Sequence, residues 1–473
     1  MHRLVFAVCG LFLLAFHPAS AITLKSCHVP DVKEAVLCGV FEVPENRALK
    51  GGRVLPLKVV VLPARTKPAK EPLFFLSGGP GEAATEAAPG FVGPEWLRKA
   101  HDVVLVDMRG TGEGTKLQCD LGGSEADPQQ YIEPLFHEGT AYAACAKKLS
   151  KSADLTQYTT TIAMRDLDDL RKALGYGKID IFSGSYGTRA AIVYLRLYGS
   201  NVRAALLSGV SALGERSPLY HAWAAERAFE ILAAQCAADI ACHKAFPDPK
   251  GDLDAILARL RAKPVPVTIT DPHTHKTLTL METAPAFGDG LRLMLYDEDT
   301  GRRVPLLLAR ARAGDFTPFA ELALDHGRGM KESIALGLLL SVSCSEDVSR
   351  IHPEEVAKET AGSFIGDWRA RGQMAACSVW PTPARPADYA APFTADAPVL
   401  LISGNLDPVT PPRWGVEAQK YFPNSVHIIV PGAHVSGSDC IADITRRFIE
   451  TADPKHLDTS CVAKAKLPPF AVK

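Results

Sequence analysis

Charge of one sign is what this 473-residue chain lacks first: 52 Lys and Arg face 53 Asp and Glu, a formal net charge of −1 at pH 7. Nucleic-acid binders carry a basic footprint, and proteins that dock on anionic lipid carry a basic patch, so both classes are disfavoured. The sequence has no C-x-x-C pair and no H-E-x-x-H. The usual zinc spacings are therefore missing, no metal is expected, and no motif calls for a cofactor. Long apolar runs are absent beyond the N-terminus. The longest, Ile334–Val342, falls well short of the roughly 20 residues a membrane-spanning helix needs and reads as buried core. There is no internal repeat and no low-complexity tract.

What is present begins with an export pattern. Met1-His2-Arg3, the apolar stretch Leu4–Phe16 and Ala19-Ser20-Ala21 supply a basic start, a short hydrophobic region and a small-residue cleavage site. Residues 1–21 are expected to be a signal peptide, and the mature chain to be periplasmic or extracellular and free of the membrane. Of eleven cysteines, Cys9 lies in that leader, which leaves ten. An even number behind an export signal reads as disulfides, although ten thiols allow many pairings. Joining sequence neighbours is the simplest scheme: 27–38, 119–145, 236–242, 344–377 and 440–461.

Short, almost wholly apolar runs at Leu73–Ser77, Asp102–Asp107, Ile179–Ser183, Val202–Ser208 and Val399–Ser403 have the character of strands buried on both faces. Val426–Val430 is a further strand. Val54–Leu62, behind Gly51-Gly52, fits an early antiparallel pair. Helical patterns such as Thr161–Leu174 lie between these runs. Alternation of this kind implies an α/β fold with a mostly parallel sheet flanked by helices. From about residue 213 the alternation stops. His221–Cys236, Leu253–Ala262, Val304–Ala313 and Glu332–Val342 are expected to be helices, with a β-like piece at Val265–Leu280. The expected organisation is a sheet core at 22–212, a mainly helical cap inserted at 213–376, and the rest of the core at 377–473.

The chemistry-bearing pattern sits where strands end. Ile179–Ser183 runs into Gly184-Ser185-Tyr186-Gly187 and then a helix, the strand–turn–helix context of a nucleophile elbow. Its first small position is Ser183 in place of the usual glycine, and Ser183 is a rival nucleophile. Asp407 follows the strand at 399, and His434 follows the strand at 426. Strand C-termini are where α/β sheets place their sites, and the order Ser, Asp, His is that of this fold. A serine hydroxyl needs an imidazole to take its proton, and the imidazole needs a carboxylate to fix its tautomer. Alone, Asp407 reads as an Asx turn before Pro408, and His434 as one ordinary histidine among 14. Asp439 is a weaker rival acid. The loop Ser77-Gly78-Gly79-Pro80-Gly81 would give one amide to an oxyanion hole, at Gly79 or alternatively Gly78, and Tyr186 would give the other.

Together, Gly78-Gly79-Pro80-Gly81, Asp107 through Gly112, Ser185 through Thr188 and Gly404 through Pro411 resemble the prolyl iminopeptidase and tripeptidyl aminopeptidase group of α/β-hydrolases. The stretch from Cys377 to Cys461 is similar to the C-terminal region of the secreted members. Two positions depart from the group: Gly114 where a serine is common, and Ser183. The resemblance implies serine exopeptidase activity on peptides with free N-termini. It also implies that a cap carboxylate holds the substrate ammonium, by its Cys-x-acid motif Glu346, with Asp347 as neighbour and rival. Arg109 is expected to order its own turn. The competing readings are an esterase or other small-acyl hydrolase on the same triad, and a catalytically silent binding protein on this scaffold. A serine carboxypeptidase is disfavoured by Gly184 and Glu82.

Overall fold

The computed structural model describes residues 22–136, 140–435 and 437–473; the expected leader, 1–21, lies outside them. Eleven strands form among the described residues: β1 (Lys25–Cys27), β2 (Val36–Pro44), β3 (Val54–Leu62), β4 (Leu73–Leu76), β5 (Val103–Val106), β6 (Ile179–Gly184), β7 (Val202–Ser208), β8 (Val265–Thr270), β9 (Thr277–Glu282), β10 (Val399–Gly404) and β11 (Ser425–Val430). Nine of them make one sheet in the order β1-β2-β3-β5-β4-β6-β7-β10-β11. β1, β2 and β3 are an antiparallel edge, and every pairing from β5 to β11 is parallel. This is the mostly parallel sheet that the apolar runs imply. β5 and β10 are buried at every position, because helices cover both faces.

Between β7 and β10 the chain makes helices and the antiparallel β8–β9 hairpin, which is the β-like piece of the sequence. This insert has its own apolar cluster around Phe229, Phe287, Phe319 and Leu324. The helix expected over 332–342 is not continuous. One helix, Thr317–Ser333, stops, Ile334 and Ala335 are extended, and a second, Leu336–Glu346, begins. The reason is tertiary. The Ala335 N–H donates to the Gly81 carbonyl at 3.0 Å, and the Gly337 N–H donates to Leu117 at 2.7 Å. Local helical preference gives way to hydrogen bonds that join the insert to the sheet loops. No helix among the described residues is long and apolar enough to cross a membrane.

All five neighbour pairings form: Cys27–Cys38, Cys119–Cys145, Cys236–Cys242, Cys344–Cys377 and Cys440–Cys461. Cys344–Cys377 joins the helices Leu336–Glu346 and Trp368–Ser378 across 33 residues of chain. Closing a loop of that length restricts the unfolded chain by about 4 kcal/mol. Replacing both cysteines by alanine is expected to lower unfolding stability by roughly that amount, read from urea unfolding curves.

Candidate functional site

At the end of β6 the chain turns sharply. Ser185 has φ +53° and ψ −130°, outside the comfortable regions for an L-residue, and is followed at once by the helix Tyr186–Tyr198. The turn is held by the Ser185 N–H donating to Ser208 at 3.0 Å and by the Thr188 hydroxyl donating to the Ser185 carbonyl at 2.6 Å. Gly187 is required: a Cβ there would stand 2.1 Å from the Leu76 carbonyl oxygen. Ser183 is different. Its side chain is fully buried and donates to the Leu206 carbonyl at 2.8 Å. The relaxed first position of the elbow is therefore a satisfied sheet residue, removed from the cavity in which Ser185 lies.

Asp407 and His434 come together from the ends of β10 and β11. His434 Nδ1 and Asp407 Oδ2 are 2.8 Å apart. Asp407 Oδ1 accepts from the Val409 and Thr410 amides at 2.9 and 2.7 Å, and Oδ2 also accepts from the Thr410 hydroxyl at 2.7 Å. The turn-forming and imidazole-holding readings of Asp407 thus coexist, one on each oxygen. The carboxylate is fully buried. Burial works against its charge, but His434 and the Thr410 donors outweigh burial and hold it below the ordinary aspartate range. For His434 burial disfavours the cation, yet the Asp407 charge prevails and raises the imidazole above its ordinary 6.5. Tyr296 packs edge-on against the imidazole at 4.9 Å, and its carbonyl accepts the His434 N–H at 3.2 Å. Tyr296 follows the helix Ala284–Met294 in the insert, and no motif marks it in the sequence. Asp439 is exposed in the first turn of another helix and has no part in this arrangement.

Ser185 and His434 line the same cavity, about 350 Å³ in volume, with Gly78, Gly79 and Tyr186 on its wall. No hydrogen bond joins the Ser185 hydroxyl to His434 among the described residues. The glycine loop after β4 separates its two candidate amides. Gly78 N–H already donates to Glu82 Oε2 at 3.0 Å, and the Ser77 hydroxyl donates to the same oxygen at 3.0 Å. Gly79 has φ +104°, a conformation that favours glycine, and a Cβ on it would meet the Gly81 nitrogen at 2.5 Å. The Tyr186 N–H lies in the first turn of its helix, where no intrahelical carbonyl is available to it.

A buried carboxylate–imidazole pair and an elbow serine, set at the C-terminal ends of parallel strands of one sheet, lie together, with His434 and Ser185 on one cavity. The chain is a serine hydrolase of the α/β-hydrolase fold. Comparison with known proteins agrees. Residues 362–461 match the family model described as TAP-like protein. The hydrolase is 26% identical to the serine protease Hip1 of Mycobacterium tuberculosis over 459 residues, 89% of this chain and 86% of that one. It is 27% identical to the tripeptidyl aminopeptidase of Streptomyces lividans over 38% of this chain and 36% of that one. It is 26% identical to the proline iminopeptidase of Neisseria meningitidis over 29% of this chain and 32% of that one.

The structure does not bring Glu346 of the hydrolase to the cavity. Its carboxylate is buried and accepts from the Thr160 amide at 2.7 Å, the Thr160 hydroxyl at 2.8 Å and the Tyr389 hydroxyl at 2.6 Å. Both oxygens are thus engaged inside the protein, and Thr160 in turn contacts the Tyr186 hydroxyl at 2.7 Å. Asp347 does line the cavity, but Arg189 occupies it at 2.5 Å. Four cavity-lining carboxylates are Glu82, Glu215, Asp289 and Asp347. Glu215 faces Arg189 at 3.6 Å, and Asp289 faces Arg292 at 2.9 Å. Glu82 alone of the four makes no ion pair among the described residues, although its charge acts on His434. Arg109 is buried away from the cavity. It pairs with Asp166 at 2.6 Å and donates to the Glu45 and Gln157 carbonyls, which ties β2 to the helix Thr160–Ala173.

Proposed function

We propose that the hydrolase is an exported serine peptidase that removes residues or short peptides from free N-termini, of the tripeptidyl or prolyl type, through an acyl-enzyme on Ser185. The observation that carries this reading is the 2.8 Å contact between His434 and the buried Asp407, in the cavity that also exposes Ser185. Ser185 attacks the scissile carbonyl and His434 takes its proton, once the two approach to about 3 Å in the substrate complex. Asp407 holds the imidazole in the tautomer with its proton on Nδ1 and stabilises the imidazolium. The amides of Gly79 and Tyr186 receive the oxyanion, since Gly78 is already engaged by Glu82. His434 then protonates the leaving amine, and water releases the acyl group. Residues 213–376 act as the cap that shapes the acyl side of the cavity. The names of the relatives, two aminopeptidases and a protease, support peptide as the substrate. Five disulfides support export.

The carboxylate that meets the substrate ammonium is Glu82. One of its oxygens braces the glycine loop, and no Lys or Arg pairs with the side chain among the described residues. An ammonium paired with a partly buried carboxylate contributes about 1.5–3 kcal/mol. Glu82→Gln is therefore expected to raise KM for free-amine peptides by about 10- to 100-fold, with a smaller change in kcat. A panel of free and N-acetylated aminoacyl- and tripeptidyl-coumarins tests the reading. Cleavage confined to unblocked peptides is expected. Equal cleavage of blocked ones would overturn it in favour of a small-acyl hydrolase.

A further inference from the structure

Away from the triad, the cavity wall gathers positive charge from three separate helices. Asp289 and Arg292 lie on Ala284–Met294, Lys331 on Thr317–Ser333 and Arg369 on Trp368–Ser378, and all four line the cavity. Three cations thus surround Asp289, and the one further carboxylate acting on them among the described residues is Glu133, beside Lys331. Arg292 places its Nε on Asp289 at 2.9 Å and one terminal nitrogen on the Tyr296 hydroxyl at 2.8 Å, and its other terminal nitrogen makes no hydrogen bond among the described residues. Lys331 Nζ donates to the Gln130 and Glu133 main-chain carbonyls, and an ammonium has three donors. Arg369 has no hydrogen bond or ion pair with the described residues. It lies over the Phe136 ring at 5.0 Å, and its Nε is buried without an acceptor. Like charges held together at a buried wall are unfavourable unless an anion completes them. Burial and the neighbouring Arg292 together push Arg369 down to about 10, and burial pushes Lys331 down to about 8. In both cases the nearby carboxylates, Asp289 for Arg369 and Asp289 with Glu133 for Lys331, do not make up for burial and the neighbouring cations.

From this geometry we infer that Arg369, Arg292 and Lys331 form a carboxylate subsite that selects substrates with a Glu or Asp side chain on the acyl side of the scissile bond. The inference rests on the peptidase reading above and adds to it the substrate class. A planar guanidinium with free donors is suited to bidentate binding of a carboxylate, and a side-chain amide of the same shape leaves it without charge pairing.

The test uses coumarin-releasing tripeptides with free N-termini that carry Glu, Gln or Lys at each acyl position in turn, with single aminoacyl versions alongside. Wild-type enzyme is expected to favour Glu over Gln by at least about tenfold in kcat/KM at one position, with Lys slowest, as one charge-assisted contact allows. Arg369→Gln is expected to bring the Glu:Gln ratio towards one, and Arg369→Lys to restore part of it. If wild-type enzyme cuts Glu and Gln peptides equally at every position, the carboxylate subsite is overturned while the peptidase reading stands. This comparison needs no variant to fold. If no unblocked peptide is cut but simple esters are, both fail. Matched Gln peptides with free and amidated C-termini separate a second source of the same chemistry. A preference for the free C-terminus alone would assign the cluster to a peptide end and overturn the side-chain proposal.

Discussion

Ser185→Ala is expected to abolish turnover, with kcat falling by between about 10⁴ and 10⁶, because nucleophile and base act as one unit. The variant should fold normally. Alanine fits the space, and the Ser185 hydroxyl makes no hydrogen bond among the described residues, while the turn rests on the Ser185 main chain and Thr188. A fluorophosphonate probe supplies the second readout. It should label wild-type enzyme at one site and leave the alanine variant unlabelled. Labelling of the variant at undiminished level would place the nucleophile elsewhere. No labelling of folded wild-type protein would favour a silent scaffold.

Asp407→Asn is expected to cost about 10⁴ in kcat with little change in fold, since an amide presents its NH₂ to Nδ1 and selects the wrong tautomer. The same variant makes a prediction about pH. A general base works as the neutral imidazole, so activity rises with pH and levels off above the pKa of His434. Asp407 holds that pKa above the ordinary 6.5 of histidine. The acidic limb of kcat/KM should therefore have its midpoint above 6.5 in the wild type, and residual activity in Asp407→Asn should show it displaced to lower pH, because burial is then opposed only by the weaker charges of Glu82 and Glu215. An unmoved limb would mean that another group sets it.

The parts legible in the sequence are those fixed by one strand and its end. Val202–Ser208 and Val399–Gly404 are almost wholly apolar, Arg203 apart, because they are interior strands of a covered sheet, and their buried composition announces them. Asp407 and His434, which the fold brings to 2.8 Å, could be picked out because each follows a strand, in the order this fold uses. The insert was harder for a physical reason. The break at Ile334 and Ala335 depends on carbonyl groups of Gly81 and Leu117, more than 200 residues earlier, and no local pattern records them. Glu346 had the right motif and the wrong surroundings: Thr160 and Tyr389 claim its oxygens, from opposite sides of it in the chain. Glu82 was visible as a residue but not as a partner. Its bonds from the Ser77 hydroxyl and the Gly78 amide appear only when the loop is folded. The three cavity cations come from helices separated by tens of residues, a convergence that spacing cannot express.

The hydrogen bond from Ala335 to Gly81 reaches further than its length. Gly81 closes the loop that contains Gly79, and Ala335 is the joint between two helices of the insert. The roof over the cavity and the floor beside Ser185 are therefore fastened at one rivet. Any tilt of those helices large enough to admit a bulky peptide must either carry the glycine loop with it or break that bond, so entry and readiness for chemistry are geared together.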